Sequence, residues 1–141
     1  MFTRGFPKGE ASPFGREIFF GVAIDGACNS RAKAYDWVVW IVPKVEKFPK
    51  FSRFSIGQSL LTSSLELLMN LVDATYEARN AGSLKAAVRE VNRIRYLMRL
   101  AKDLRIVTID SHEFAAKSLD EVGRMTGGWL KSSLVALPMR P

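Results

Sequence analysis

Hydrophobic residues recur every three or four positions in four separate stretches of this chain, and no stretch reads as a core strand. The most regular is 84–105, where Leu84, Ala87, Val88, Val91, Ile94, Met98 and Ala101 fall on one side at 3.6 residues per turn, the mark of a helix buried along one stripe. A first helix is predicted from residue 31, with Ala34, Trp37, Val38, Ile41, Val45 and Phe48 as its apolar positions. Pro43 denies Val39 its backbone partner, which predicts a kink near 39–43, and Phe48-Pro49 ends the element.

Ser55 and Gln58 have the spacing of a capping box and are expected to open a second helix. Leu60, Leu61, Leu65, Leu68, Val72 and Tyr76 make its apolar face, with Ser63, Glu66, Asn70, Asp73 and Glu77 opposite. That outer face is acidic and unsuited to phosphates. Asn80-Ala81-Gly82 breaks the helix and Ser83 is the natural N-cap of the third, so these two helices should be antiparallel neighbours. β-Branched residues 106–109 stop the third helix. Asp110 and Glu113 form a second candidate capping box, and Ala115, Leu119, Val122, Thr126 and Trp129 line the inner stripe of a fourth helix.

Gly123, Gly127 and Gly128 inside that last helix cost about 1 kcal/mol each relative to alanine. Ala116, Gly123 and Gly127 are spaced so that another backbone, within the subunit or from a neighbouring one, can approach closely. The expected architecture is all-α: an antiparallel up-down-up-down four-helix bundle over 31–133, with a frayed tail at 134–141. Residues 1–30 are expected to be a disordered leader, the alternative being a short strand docked on the domain. The apolar run at 18–24 is short and broken by Gly21, and Asp25 stands where a lipoprotein site wants an aliphatic residue, so a secretion signal is not expected.

Charge changes this picture. The chain has 21 Lys and Arg against 14 Asp and Glu, a net charge of +7, which favours polyanionic partners. Seven cations (Lys85, Arg89, Arg93, Arg95, Arg99, Lys102, Arg105) and two anions (Glu90, Asp103) lie in the third helix, a local net charge of +5. With Val91 at zero, Arg95, Arg99 and Lys102 fall at about 40°, 80° and 20°, beside the apolar stripe, while Arg89 and Arg93 point outward. Leu97, Leu100 and Leu104 also face away from the stripe, which suggests a contact between subunits.

Cys28 is the only cysteine and His112 the only histidine, so a disulfide within the chain and a multi-cysteine or multi-histidine metal site are excluded. This fits a cytoplasmic protein. No phosphate-binding glycine loop and no carboxylate cluster with metal spacing is present, so neither an enzyme nor a cofactor is expected. No run of about 20 apolar residues spans a bilayer, and the basic helix is too broadly apolar to lie alone on a membrane surface.

Four segments carry a resemblance. These are Val42-Pro43-Lys44-Val45-Glu46-Lys47-Phe48-Pro49-Lys50, Phe54-Ser55-Ile56-Gly57-Gln58-Ser59-Leu60, Arg95-Tyr96-Leu97-Met98-Arg99-Leu100-Ala101-Lys102-Asp103-Leu104 and Glu121-Val122-Gly123-Arg124-Met125-Thr126-Gly127-Gly128-Trp129-Leu130. In order and spacing they resemble the small four-helix-bundle family that holds the accessory variability determinant (Avd) of diversity-generating retroelements and the intervening-sequence proteins of large-subunit ribosomal RNA genes. The likeness covers about 34–131. It implies a basic homopentamer and, on the Avd side, a non-catalytic partner of a reverse transcriptase that also binds RNA or DNA during mutagenic copying. On the intervening-sequence side it implies a structural oligomer with no polymerase partner.

The family's paired arginines match Arg95 and Arg99, with Ile94 and Met98 in place of leucines. Arg89, Arg93, Lys102 and Arg105 complete the candidate contact set for nucleic acid or partner, and Leu97, Leu100 and Leu104 the candidate oligomer interface. The competing account of Arg95 is an interior cation paired with Glu121 or Glu66. If phosphates are the ligand, counterion release makes binding salt-sensitive and largely nonspecific. No paired aromatic platform for reading bases is evident in the sequence.

Overall fold

The structure is a computed structural model that describes the backbone of residues 24–136 and side chains over 29–135. Expectations for the leader ahead of Ile24, the docked strand, the rejected signal segment and the last five residues fall outside the described residues. Four helices, with no strand among the described residues, build the molecule: α1 (Ile24–Glu46), α2 (Gln58–Tyr76), α3 (Ala81–Asp103) and α4 (Ile109–Ala136). Each packs on its neighbours in sequence, and α1 closes the ring against α4. A short helical turn (Lys50–Ser52) and a π-helical turn (Arg53–Gly57) lead without a break into α2.

Two polar ties fix the relative direction of α1 and α4. The Ser30 and Thr126 hydroxyls share a buried hydrogen bond of 2.8 Å at the start of α1 and the far end of α4. At the other pole Lys44 Nζ donates to Ser111 Oγ at 3.2 Å. The two helices are therefore antiparallel, as the short connections also require of the other neighbours.

The core is filled by Trp37 and Ile41 from α1, Leu60, Leu67 and Leu71 from α2, Leu84, Val91, Ile94 and Met98 from α3, and Leu119 and Val122 from α4. The stripes expected of α3 and α4 are the ones buried, apart from Val88, which is half-buried. The face expected of α2 is rotated. Leu65 and Tyr76 are 49% and 74% exposed, while Ser63 and Ser64 are buried. The reason lies in Trp37, whose indole N–H would be orphaned in the core and instead donates to Ser64 Oγ at 2.8 Å. Placing Ser64 inward carries Leu67 and Leu71 into the core with it and turns Leu65 out.

The helix boundaries also differ from expectation. α1 begins at Ile24, ahead of residue 31, and runs through Pro43 to Glu46. The carbonyl that Pro43 orphans belongs to Val39, which is 55% exposed and within reach of water. α4 extends through residues 134–136, which were expected to fray. Neither proposed capping box forms. Ser55 lies inside the π-helical turn, where its hydroxyl donates to the Ser52 carbonyl at 3.4 Å, because the chain is already helical from Lys50. α4 starts before Asp110, and Thr108 Oγ1 caps it by accepting the Ser111 N–H at 3.1 Å. Ser83 is not a cap either: α3 starts at Ala81, and Ser83 Oγ donates to Glu77 Oε1 at 2.8 Å. Asn80 caps the preceding helix, its amide donating to the Ala74 carbonyl at 3.2 Å.

α3 ends in a Schellman motif. The Arg105 N–H donates to the Lys102 carbonyl at 2.9 Å and the Ile106 N–H to the Ala101 carbonyl at 2.8 Å. Arg105 takes φ of 61°, the one positive φ at a non-glycine among the described residues. This satisfies the orphan carbonyls at the helix end while placing a long cation where glycine is usual.

Candidate nucleic-acid interface on α3

Arg95 lies across the seam between α3 and α4. Its Nη2 donates to Asp120 Oδ1 at 2.9 Å, with a longer contact of 3.5 Å to the Leu119 carbonyl, and its Nη1 donates to Asn92 Oδ1 at 3.1 Å. The carboxylate is thus Asp120, and neither Glu121 nor Glu66 is the partner. Glu121 points to α1 and meets Lys33 at 3.5 Å. The Arg95 side chain is 40% exposed, so it is a braced surface cation and not an interior one. Gly123 makes room for it: a Cβ there would stand 3.1 Å from Arg95 Nη2 and 3.4 Å from Val91 Cγ1. The glycine expected to admit a neighbouring backbone admits this side chain. Gly127 and Gly128 have nothing within 4 Å of where a Cβ would stand.

The other cations are more open. Arg99 and Lys102 approach the same carboxylate, Asp103, at 4.0 and 3.9 Å. Arg93 is 63% exposed and bridges to Glu90 at 3.2 Å. Lys85, Arg89 and Arg105 are exposed and have no acidic partner among the described residues. One helix therefore shows solvent several positive charges that its two carboxylates do not neutralise. Surface ion pairs of this kind are worth about 1 kcal/mol or less, so a phosphate can displace the carboxylates at little cost.

Leu97 is half-buried against the core, unlike Leu100 and Leu104, which are 44% and 50% exposed. The outward apolar set on α3 is thus smaller than the sequence suggested. Tyr96, 72% exposed, stands among the outward arginines and was missed as a candidate. Its position in the helix would have revealed it: it is three residues from both Arg93 and Arg99. His112 is half-buried in the first turn of α4.

An aromatic contact joins α1 to α4 on the margin of the core. Trp40 stacks on Phe114 at 4.8 Å between centroids and 28° between planes, and Lys44 Nζ lies 5.1 Å from the Trp40 ring centre. Asp36, one turn before Trp40, has its carboxyl pushed above the ordinary range by desolvation, an effect that Lys33 partly opposes. No group of three or more potential metal ligands occurs among the described residues. No helix of the described residues is long and apolar enough to cross a membrane.

These features define a small antiparallel helical bundle with a strongly basic face on α3. The sequence model of the bAvd-like family matches residues 29–133, three-quarters of the chain, and the protein belongs to that family. No curated protein and no solved structure matches it.

Proposed function

We propose that this protein is a non-catalytic accessory subunit of a diversity-generating retroelement, which binds the element's reverse transcriptase and RNA or DNA to support mutagenic copying. The observation that carries the reading is the cationic surface of α3, left under-neutralised by its own carboxylates in a chain of the bAvd-like family. Arg89, Arg93, Arg99, Lys102 and Arg105 contact phosphates directly. Arg95 joins them when a phosphate takes the place of Asp120. Each phosphate neutralised releases condensed cations, so binding weakens steeply with salt and depends little on sequence.

The copies assemble through the exposed leucines of α3, with Leu100 and Leu104 at the contact and Leu97 beneath them, into a ring of five. Repetition of a weak patch around a ring raises avidity by ~10²-fold or more where one strand spans several patches. The assembly works in the cytoplasm, beside the polymerase it serves.

The test is titration of labelled RNA and DNA, and of the cognate polymerase, at low salt. R95A/R99A is expected to bind both nucleic acids and polymerase more weakly with helicity unchanged. D120N, which frees Arg95, should bind nucleic acid at least as well as the parent. Unchanged binding by R95A/R99A, or no uptake by the parent protein, refutes the reading and leaves the structural oligomer of the intervening-sequence type.

A further inference from the structure

The corner between α1 and α2 carries two phenylalanines that the fold does not use. Phe51 and Phe54 are 74% and 73% exposed, three residues apart in one continuous helical stretch that turns from α-helical to π-helical between them. Side chains at this spacing are neighbours on a helix surface. Phe48, by contrast, is buried and anchors the corner to the core. Two large apolar rings this open and this close in sequence make a contiguous patch of the kind that marks an interaction site.

The charge around the rings indicates which partner. Lys44, Lys47, Lys50 and Arg53 face a single acid, Glu46, over residues 44–58, a net charge of +3. Lys47 and Lys50 are exposed and without an ion pair among the described residues. The Arg53 guanidinium reaches only the Phe48 carbonyl, at 3.4 Å, and its buried Nε has no hydrogen-bond partner. An apolar protein groove would have to desolvate these cations. A nucleic-acid strand with unpaired bases satisfies both groups at once, since flat bases cover the rings while phosphates meet the lysines. A duplex offers the phosphates but not the base faces.

We infer that Phe51 and Phe54, fringed by Lys47, Lys50 and Arg53, form a stacking site for single-stranded RNA or DNA. The site deepens the function proposed above and rests on it. α1 and α3 run parallel in the bundle, so this corner shares a pole with the C-terminal end of α3, where Arg99, Lys102 and Arg105 lie. A strand gripped at the corner can continue onto that end of the cationic helix.

The experiment compares a fluorescein-labelled 20-nucleotide oligouridine with an RNA duplex of equal length, by anisotropy, against the parent protein, F51A/F54A, F51W/F54W, K47E/K50E and R95A/R99A. F51A/F54A is expected to lose about tenfold or more for the single strand, with duplex affinity, helicity and light-scattering mass unchanged. F51W/F54W should restore single-strand binding, and K47E/K50E should weaken both forms. If F51A/F54A binds the single strand as the parent does, the inference fails alone, provided that R95A/R99A still loses binding. A parallel loss for duplex and single strand overturns it as well. So does a fall in mass, which would make the rings a contact between copies. Absence of any binding by the parent protein overturns both this inference and the function it rests on.

Discussion

Of the described glycines, Gly57 leaves the least room for a Cβ, and replacing it with alanine tests the packing directly. A Cβ built there stands 2.8 Å from Val45 Cγ1 and 3.4 Å from Phe48 Cδ2, and both side chains are buried, at 2% and 4% exposure. The nearer atom belongs to a β-branched side chain with little freedom to retreat. Overpacking of this kind costs about 1–3 kcal/mol, against a gain of about 1 kcal/mol from alanine's better helix propensity. The net expectation for Gly57→Ala is a loss of up to about 2 kcal/mol. Gly128→Ala provides the contrast: nothing stands within 4 Å, so only the propensity gain applies, about 0.5–1 kcal/mol.

At this chain length 1 kcal/mol moves the melting midpoint by roughly 3 °C, so the two variants should melt on opposite sides of the parent. The melts are followed by circular dichroism at one fixed protein concentration, because the proposed assembly would make the midpoint concentration-dependent. The clash is isolated by adding Val45→Ala. In that background Gly57→Ala should cost nothing or stabilise, giving a coupling of about 1 kcal/mol or more. Equal midpoints for the Gly57 and Gly128 variants, or no coupling with Val45, would refute the packing described here.

Three further outcomes are expected. Ser64→Ala leaves the Trp37 indole N–H without its acceptor in the core and should cost about 1–3 kcal/mol in urea unfolding, part of which Trp37→Phe recovers in the same background. Arg105→Gly relieves the left-handed strain and should raise stability by about 1 kcal/mol, while lowering the salt slope of nucleic-acid binding by about 1 if that cation meets a phosphate. Asp36 has a raised pKa in the folded state, so the folded protein holds that proton more tightly than the unfolded chain; the carboxylate opposes folding at neutral pH, and its penalty fades as pH falls through the raised value. Asp36→Asn should therefore stabilise at pH 7 and give no advantage in acid, as followed by thermal melts across pH.

The sequence revealed most about the elements with a single apolar stripe. The inner stripes of α3 and α4 could be read residue by residue, because each forms a continuous apolar row at helical spacing, and the apolar residues outside it, such as Leu100, Leu104 and Phe114, do not make a competing row of the same length. α2 could not. Leucine or valine occupies so much of its circumference that several rotations bury comparable area, and the choice fell to a hydrogen bond between Trp37 and Ser64, 27 residues apart. Caps were misread for a related reason. Serine and aspartate near a boundary signal that a helix starts, but the start was set by Thr108 in one case and by the continuous turn from Lys50 in another.

At the candidate site, the identity of the cations was legible and their partners were not. Helical spacing placed Arg95 near the seam, yet only the packing of α4 against α3 could bring Asp120, 25 residues on, to its guanidinium. The Trp40 and Phe114 stack joins residues still further apart in sequence. Phe51 and Phe54 are different, since their spacing and their lysines were visible from the start. What the sequence lacked was the knowledge that Phe48 and Ile56 are the side chains that anchor the corner to the core, leaving Phe51 and Phe54 outside it.

The tie between Ser30 and Thr126 gives the molecule two unlike poles. The first turns of α1 and the last of α4 meet at one of them, whereas the phenylalanine corner and Arg105 occupy the other. An affinity handle or fluorophore joined through a linker beyond the end of α4 would thus sit away from the aromatic, basic pole. Immobilised by such a handle, the protein would turn that pole toward the solution, which is the geometry a surface-based binding measurement needs.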